Sequence, residues 1–258
     1  MTEVISSLQN PRVKLASALQ RSARARRGER KIVLEGFRLV RDAIERGARA
    51  EAILYDLKDA DFDFISSLQT KNVPVFPVNT EVSEYISDTQ QPQGIYGIFP
   101  IPMPDMPRKA RSVLILDAIR EPGNMGTILR TAAASGVDVV LLGSECVDPY
   151  NPKVLRAGMG AHFRVPILEV SWGEIASYCK DLDIYLAAGD GEKSYTEVDW
   201  RRGWAVVIGN EAHGVQRAEQ LKAERIRIPM AAATESINAA LAAGVIVFEA
   251  QRQRLVKS

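Results

Sequence analysis

The stretch DAIREPGNMGTILRTAAASG, residues 117–136, places an amide and a guanidinium, Asn124 and Arg130, six residues apart across a change from loop to helix. The apolar run 113–116 stops at Asp117, a Pro-Gly-Asn turn follows, and Arg130 then sits among Ile128, Leu129, Thr131 and Ala132, a setting that predicts a partly sheltered guanidinium. An amide can orient a hydroxyl, and a guanidinium can clamp a phosphate through paired donors. Both side chains are therefore expected to face a pocket at a strand end, although Asn124 would equally serve as a helix N-cap after Pro122 and Gly123. Three more loops in the C-terminal half are rich in Gly, Asn or acids: AAGDGEKS, IGNEAHGV and IPMAAATESIN. Common nucleotide-binding spacings fail in them. The first loop has only Gly123 and Gly126, short of G-x-G-x-x-G, and Glu192 separates Gly191 from Lys193, which breaks the phosphate-loop pattern. A flat adenosine-like group with a charged amino-acid tail fits better. Gly189, Gly209 and Gly214 permit close backbone approach, and Ser236 and Asn238 open the last helix, where unpaired amides favour ligand oxygens. Ser236 is also a plain N-cap candidate.

The elements that must hold these loops follow from periodicity. SVLILD, DVVLLG, HFRVPILEV, DIYLAAG, WAVVIGN and ERIRIPM read as strands; MGTILRTAAAS, NPKVLRAGMG, WGEIASYCKDL, GVQRAEQLK and ESINAALAAGVIVFEAQRQR read as helices. Apolar strands alternating with amphipathic helices predict an α/β domain with a mostly parallel sheet covered on both faces. In such sheets ligands gather beyond the carboxyl ends of the strands, where the four loops lie. The Pro-rich segment 99–111 reads as a linker between a small α/β domain, residues 1–98, and this larger one, residues 112–258.

With 258 residues, 46% of them hydrophobic, the chain can bury a real core, and its net charge of +1 conceals a local asymmetry. Residues 12–31 carry Arg12, Lys14, Arg21, Arg24, Arg26, Arg27, Arg30 and Lys31 against the single acid Glu29. Such a segment meets phosphates with salt-dependent, largely sequence-blind affinity; Arg12, Lys14, Arg24, Arg26 and Arg27 are the candidate contacts. Cys146 and Cys179 have neither CxxC nor Cys/His spacing, so neither a disulfide framework nor a metal site is expected. The absence of an apolar segment behind basic residues, and of any membrane-length apolar run, predicts a cytoplasmic protein. His162 and His213 sit in ordinary contexts and receive no catalytic task.

The segments EPGNMGTILRTA, VVIGNEAHGV and IPMAAATESINAALAAGVIVFEA, in this order and spacing, resemble the three signature motifs of the SpoU/TrmH branch of the SPOUT RNA methyltransferases. NPRVKLASALQ, VLEGFRLVRDAIERG and QPQGIYGI resemble the ribosomal-protein-like substrate-binding domain that precedes the catalytic domain in many members. The resemblance implies S-adenosyl-L-methionine-dependent methylation of a ribose 2′-hydroxyl in structured RNA, ribosomal RNA first and transfer RNA as the alternative. It implies a homodimer with a trefoil knot in the C-terminal domain. It places Asn124, Arg130, Glu211, Ser236 and Asn238 at the catalytic centre, and Gly189, Ile208, Gly209, Asn210, Gly214, Ile228, Met230, Ser236 and Ala239 around the cofactor. Arg156, in KVLRAGMGAHF, is directed to RNA or to the partner chain. Gly158 stands where serine is common, and Ile237 and Ala239 where Leu and Val are usual. A non-catalytic RNA-binding or ribosome-assembly factor on the same fold is the competing reading, which the intact polar set opposes.

Overall fold

The computed structural model describes residues 3–103, 106–209, 221–231 and 236–256. The chain divides into two compact units: Met1–Pro102 with Tyr150–Phe163, and Met103–Pro149 with Arg164–Ser258.

The first unit runs α1 (Pro11–Arg21), α2 (Ala23–Glu29), β1 (Lys31–Glu35), α3 (Phe37–Glu45), β2 (Ala52–Asp56), α4 (Phe62–Thr70), β3 (Val75–Val78), α5 (Thr80–Ile86) and β4 (Ile95–Pro100). Helix starts follow the local chemistry: Asn10, Ser22, Asp61 and Asn79 each accept a backbone amide of the first turn, and Pro11 occupies the position where its missing N–H costs nothing. The sheet order is β1-β4-β2-β3, with β4 antiparallel to both neighbours and β2 parallel to β3. Alternation along β1 sends Ile32 and Leu34 to a core with Leu39 and Val40 of α3, and Val33 to a second core with Val13, Leu19, Val82 and Ile86. Phe99 and Pro100, read as the start of a linker, instead complete β4. Pairing with β2 ends at Ile98, so the amide that Pro100 lacks falls beyond that ladder.

The second unit contributes β5 (Ser112–Leu116), α6 (Pro122–Ser135) and β6 (Val139–Leu142); α7 (Pro152–Gly158) then belongs with the first unit. It resumes with β7 (Ile167–Glu169), α8 (Trp172–Tyr178), β8 (Asp183–Ala187), β9 (Lys193–Ser194), β10 (Trp204–Ile208), β11 (Glu224–Arg227) and α9 (Ala239–Leu255). The expected strand HFRVPILEV shortens to β7, because residues 161–163 form a 3-10 turn and Pro166 brings no N–H to a ladder. The sheet order is β7-β6-β5-β10-β8-β11-β9, and every pairing is parallel. Val113, Ile115, Leu186, Ala205 and Val207 pack with Trp172 and Ile175 of α8 and with Cys179, its C-cap. Elsewhere in this unit α6 packs on α9, and α9 on β10.

The loop after β8 is pinned to β11. Ala188 donates to Ile226 O at 2.9 Å, and Arg227 Nη1 donates to Gly191 O at 2.6 Å. A Cβ on Gly191 would lie 2.5 Å from Ile226 C and 2.8 Å from Arg227 N, so only glycine fits. Gly191→Ala is expected to cost about 1–3 kcal/mol, as overpacking against backbone does; urea unfolding of the variant measures it, and an unchanged midpoint would refute the contact.

Burial raises the Cys146 thiol to about 11 and the Cys179 thiol to about 12. Each folded thiol therefore keeps its proton where the unfolded one, near 9, has lost it. Stability from these groups is complete below pH 9 and falls as pH rises through the folded values. At pH 8 both are expected to resist a disulfide reagent in buffer and to react at once in denaturant; prompt labelling of folded protein would contradict this.

Candidate active site

Because β5, β8, β10 and β11 run parallel in register, with Leu116 beside Ile208 and Ile226 beside Ala187, the loops after them open on one edge of the sheet. The first of these loops is strained and braced. Asp117, 1% exposed, donates its backbone amide to Ile208 O at 2.9 Å, extending the ladder by one step. Ala118 follows at φ 54°, a left-handed conformation that costs a non-glycine residue about 1–3 kcal/mol. The loop after β6 holds it in place. Gly143 N–H and the Cys146 thiol both donate to Leu116 O, Val147 N–H donates to Ile119 O at 2.9 Å, and Arg120 pairs with Glu145.

α6 begins at Pro122, earlier than its apolar period suggests. Glu121 is the N-cap, its carboxylate accepting the Asn124 amide. Asn124 is thus inside the first turn and does not cap it. An acid directly before a proline at the first helical position was the sequence signal for this cap. At the other helix, Asn238, not Ser236, is the cap: its Oδ1 accepts Ala240 N–H at 2.9 Å and Leu241 N–H at 3.3 Å. Its Nδ2 donates to Asn124 Oδ1 at 2.9 Å. One hydrogen bond therefore joins residues 114 positions apart. Ser236 is exposed just ahead of the cap.

Arg130 is exposed, so the expected shelter is absent. With both residues inside α6, six positions correspond to roughly 120° around the axis, and Arg130 leaves a different face from Asn124. The α9-facing side is marked by Thr131, whose Cγ2 is 3.8 Å from where a Cβ of Gly244 would be. Arg130 makes no hydrogen bond or ion pair among the described residues.

Of the positions assigned to the cofactor, Gly189 is exposed in the loop pinned to β11, and Gly209, Ile228 and Met230 are half-buried just beyond β10 and β11. Ile208 and Ala239 are 2% and 5% exposed, so they offer backbone rather than side chain. Asn210, Glu211 and Gly214 lie outside the described residues. Apart from Ser236, the described positions assigned to the cofactor are apolar and uncharged, Asp190 beside Gly189 is paired with Arg225, and the backbone contact at Gly191 keeps this loop close to β11. That donor set fits a flat purine and ribose gripped by main-chain groups.

In the first unit Arg12, Lys14, Arg24 and Arg27 are exposed, and the Arg12 guanidinium lies 4.2 Å from the centre of the Phe76 ring. Arg26 departs from the expected basic face. It is 4% exposed, and its Nη1 donates to Leu19 O at 2.6 Å and Gln20 O at 3.4 Å, capping the carboxyl end of α1. Arg156 is occupied by carboxylates, with Asp88 at 3.1 Å and Glu35 at 3.8 Å. His162 is buried beside the Tyr150 ring. Among the described residues no group of three or more His, Cys, Asp or Glu is arranged to hold a metal, and no helix is long and apolar enough to cross a membrane.

Known proteins resemble both parts of the chain. Residues 10–97 match the MRM3-like substrate binding domain and residues 111–248 the SpoU rRNA Methylase family. Mitochondrial rRNA methyltransferase 3 of Mus musculus is 35% identical, over 88% of this chain and 68% of its own. The Bacillus subtilis 23S rRNA (guanosine(2553)-2′-O)-methyltransferase RlmP is 30% identical, over 95% of this chain and 97% of its own. A crystal structure of an AdoMet-bound rRNA methyltransferase from Sinorhizobium meliloti superposes with a TM-score of 0.85 at 28% identity, covering 99% of both chains. With more than half of its length matched and a 30% identical relative aligned over 97% of that relative's length, the chain belongs to the SpoU rRNA methylase family.

Proposed function

We propose that this protein is an S-adenosylmethionine-dependent methyltransferase that acts on a ribose 2′-hydroxyl of ribosomal RNA. The observation that carries the reading is the 2.9 Å bond from Asn238 to Asn124, which brings the first and last motifs together beside the carboxyl ends of β5 and β10. Support for ribosomal RNA comes from relatives that are named rRNA methyltransferases and align with both units.

S-adenosylmethionine, when bound, supplies a methyl group on a sulfonium, an electrophile that needs little further activation. Gly189, Gly209, Ile228, Met230 and the backbone of Ile208 and Ala239 would hold it, together with Asn210, Gly214 and Ser236. Asn124, anchored by Asn238 and by Glu121, orients the ribose. Arg130 clamps a substrate phosphate beside the target sugar. A guanidinium holds its proton too tightly to act as a base, so a substrate phosphate or a water takes the hydroxyl proton. Glu211, outside the described residues, would accept hydrogen bonds from Asn124, Arg130 or a backbone amide. Most of the acceleration then comes from positioning. The trefoil knot belongs to the same proposal, and the strand order supports it: β10 enters between β5 and β8, and β11 between β8 and β9.

The working form is a homodimer built on α9. Ala240, Ala243, Val247 and Ala250 are buried on one side of this helix, while Leu241, Val245 and Phe248 are 62%, 38% and 47% exposed on the other. The stretch Ala239–Phe248 of α9 is apolar all round and calls for cover on both sides, and a second copy of the same stripe supplies it in a two-fold contact.

Two measurements test these assignments. Calorimetry with S-adenosylmethionine should show binding, and labelled methyl should appear on ribose in ribosomal RNA; absence of both sinks the reading. Arg130→Lys should keep cofactor affinity and lose roughly tenfold or more in kcat/KM, the scale of a lost charge-assisted bond, whereas near wild-type turnover rules out the clamp. For the dimer, Val245→Glu with Phe248→Glu should sediment as a monomer, and an unchanged dimer would place the interface elsewhere.

A further inference from the structure

The first unit contains a cavity of about 380 Å³ lined in part by Glu35, Gly36, Arg38, Leu39, Arg156 and Met159. Its size lies within the range of small-ligand sites, about 300–1,000 Å³. Three features supply donors to it, two without a polar partner and one, Arg156, ion-paired but with hydrogen-bonding capacity left on one nitrogen. The first is the start of α3. Its N-cap is Gly36, at φ 105°, which has no side chain to cap the helix and forms no side-chain cap bond. The amides of Phe37, Arg38 and Leu39 have no hydrogen-bond partner among the described residues, and the positive end of a helix favours an anion there. The second is Arg156, whose Nη1 is buried without a hydrogen-bond partner, 3.8 Å from Glu35 Oε2, while Nη2 is held by Asp88 at 3.1 Å. The third is Arg38, exposed and without a hydrogen bond or ion pair among the described residues.

The acids nearby do not fill these donors. Glu35 is 3% exposed and already accepts from Gln20 Nε2 at 3.1 Å, Ser87 Oγ at 2.5 Å and Thr89 Oγ1 at 3.2 Å. Glu35 and Asp88 outnumber the single guanidinium of Arg156 by one charge, so an anion finds its cation at Arg38 on the rim and not in the inner cavity. Leu39 and the partly exposed Met159 add apolar wall. The guest that matches has one negative charge for Arg38 and the α3 amides, neutral acceptor atoms for Arg156, and a flat apolar body.

We propose that this cavity receives a single nucleotide of the RNA substrate, turned out of its helix: the phosphate on Arg38 and the first turn of α3, the base against Leu39 and Met159, and a base or sugar acceptor on Arg156 Nη1. The inference rests on the RNA-methylating reading for its substrate class and extends it to a subsite of the first unit. It also differs from the exposed arginines of α1 and α2, which recognise backbone alone.

The test uses the full-length chain and ribosomal RNA transcribed with 4-thiouridine and 6-thioguanosine. Ultraviolet crosslinks should map to the peptides containing residues 36–39 and Met159. Arg38→Ala should weaken RNA binding roughly tenfold, and Met159→Trp, which fills the cavity without changing charge, should weaken RNA binding and remove those crosslinks. Both variants should bind S-adenosylmethionine as the wild type does. Crosslinks confined to α1 and α2, or a Met159→Trp protein that binds RNA normally, would overturn the proposal. Methyl transfer that proceeds unaltered in both variants removes this subsite alone, whereas crosslinks through the cavity without any methyl transfer remove the enzymatic reading and leave the subsite standing.

Discussion

The constraint on which the second unit depends is the insertion of β10 between β5 and β8, parallel to both and in register. It sets Ile208 beside Leu116, so the chain leaves two central strands at the same level and on the same edge. The bond from Asp117 N–H to Ile208 O continues that pairing past the end of the strands and delivers the chain directly into the strained turn at Ala118. Fully buried strand residues such as Val113, Leu114, Val206 and Val207 fix the level, because a one-residue slip would turn every side chain to the opposite face. The site is thus positioned by the packed centre of the sheet, while its contacts lie on loops that the centre orients.

The strain at Ala118 and the braces around it belong together. A left-handed alanine persists only where its surroundings over-determine it, and here four separate contacts from residues 143–147 reach the backbone or side chains of 116–120. The consequence reaches Asn124. The turn decides where Glu121 stands, Glu121 decides where α6 starts, and the start of α6 decides where the Asn124 amide lies relative to α9.

Much of this was legible in the sequence. The apolar runs of β5, β6, β8 and β10 announced a parallel sheet, because strands covered on both faces have no polar alternation to disguise them. The loops that carry chemistry follow from the same rule about strand ends. Boundaries were less legible where a local preference had two outlets. Asn124 and Glu121 both suit a helix start, and only the three-dimensional course of the turn selects the acid. Ser236 and Asn238 compete in the same way at α9. Arg26 was hidden for another reason: charge along a sequence does not reveal which member of a basic run turns inward to bond the carbonyls of the preceding helix. The assignment of residues 150–163 to the first unit was invisible too, since it depends on contacts remote in the chain.

Asn238 has a further consequence. Its carbonyl oxygen accepts two amides at the head of a seventeen-residue helix, where the aligned peptide dipoles concentrate positive potential. Electron density drawn toward that oxygen makes the nitrogen of the same amide a stronger donor, and its acceptor is Asn124. The side chain is therefore a polarised relay that lends part of the helix field to a residue on another helix, and it works in one orientation only, because turning the amide over would set nitrogen against nitrogen at the helix head.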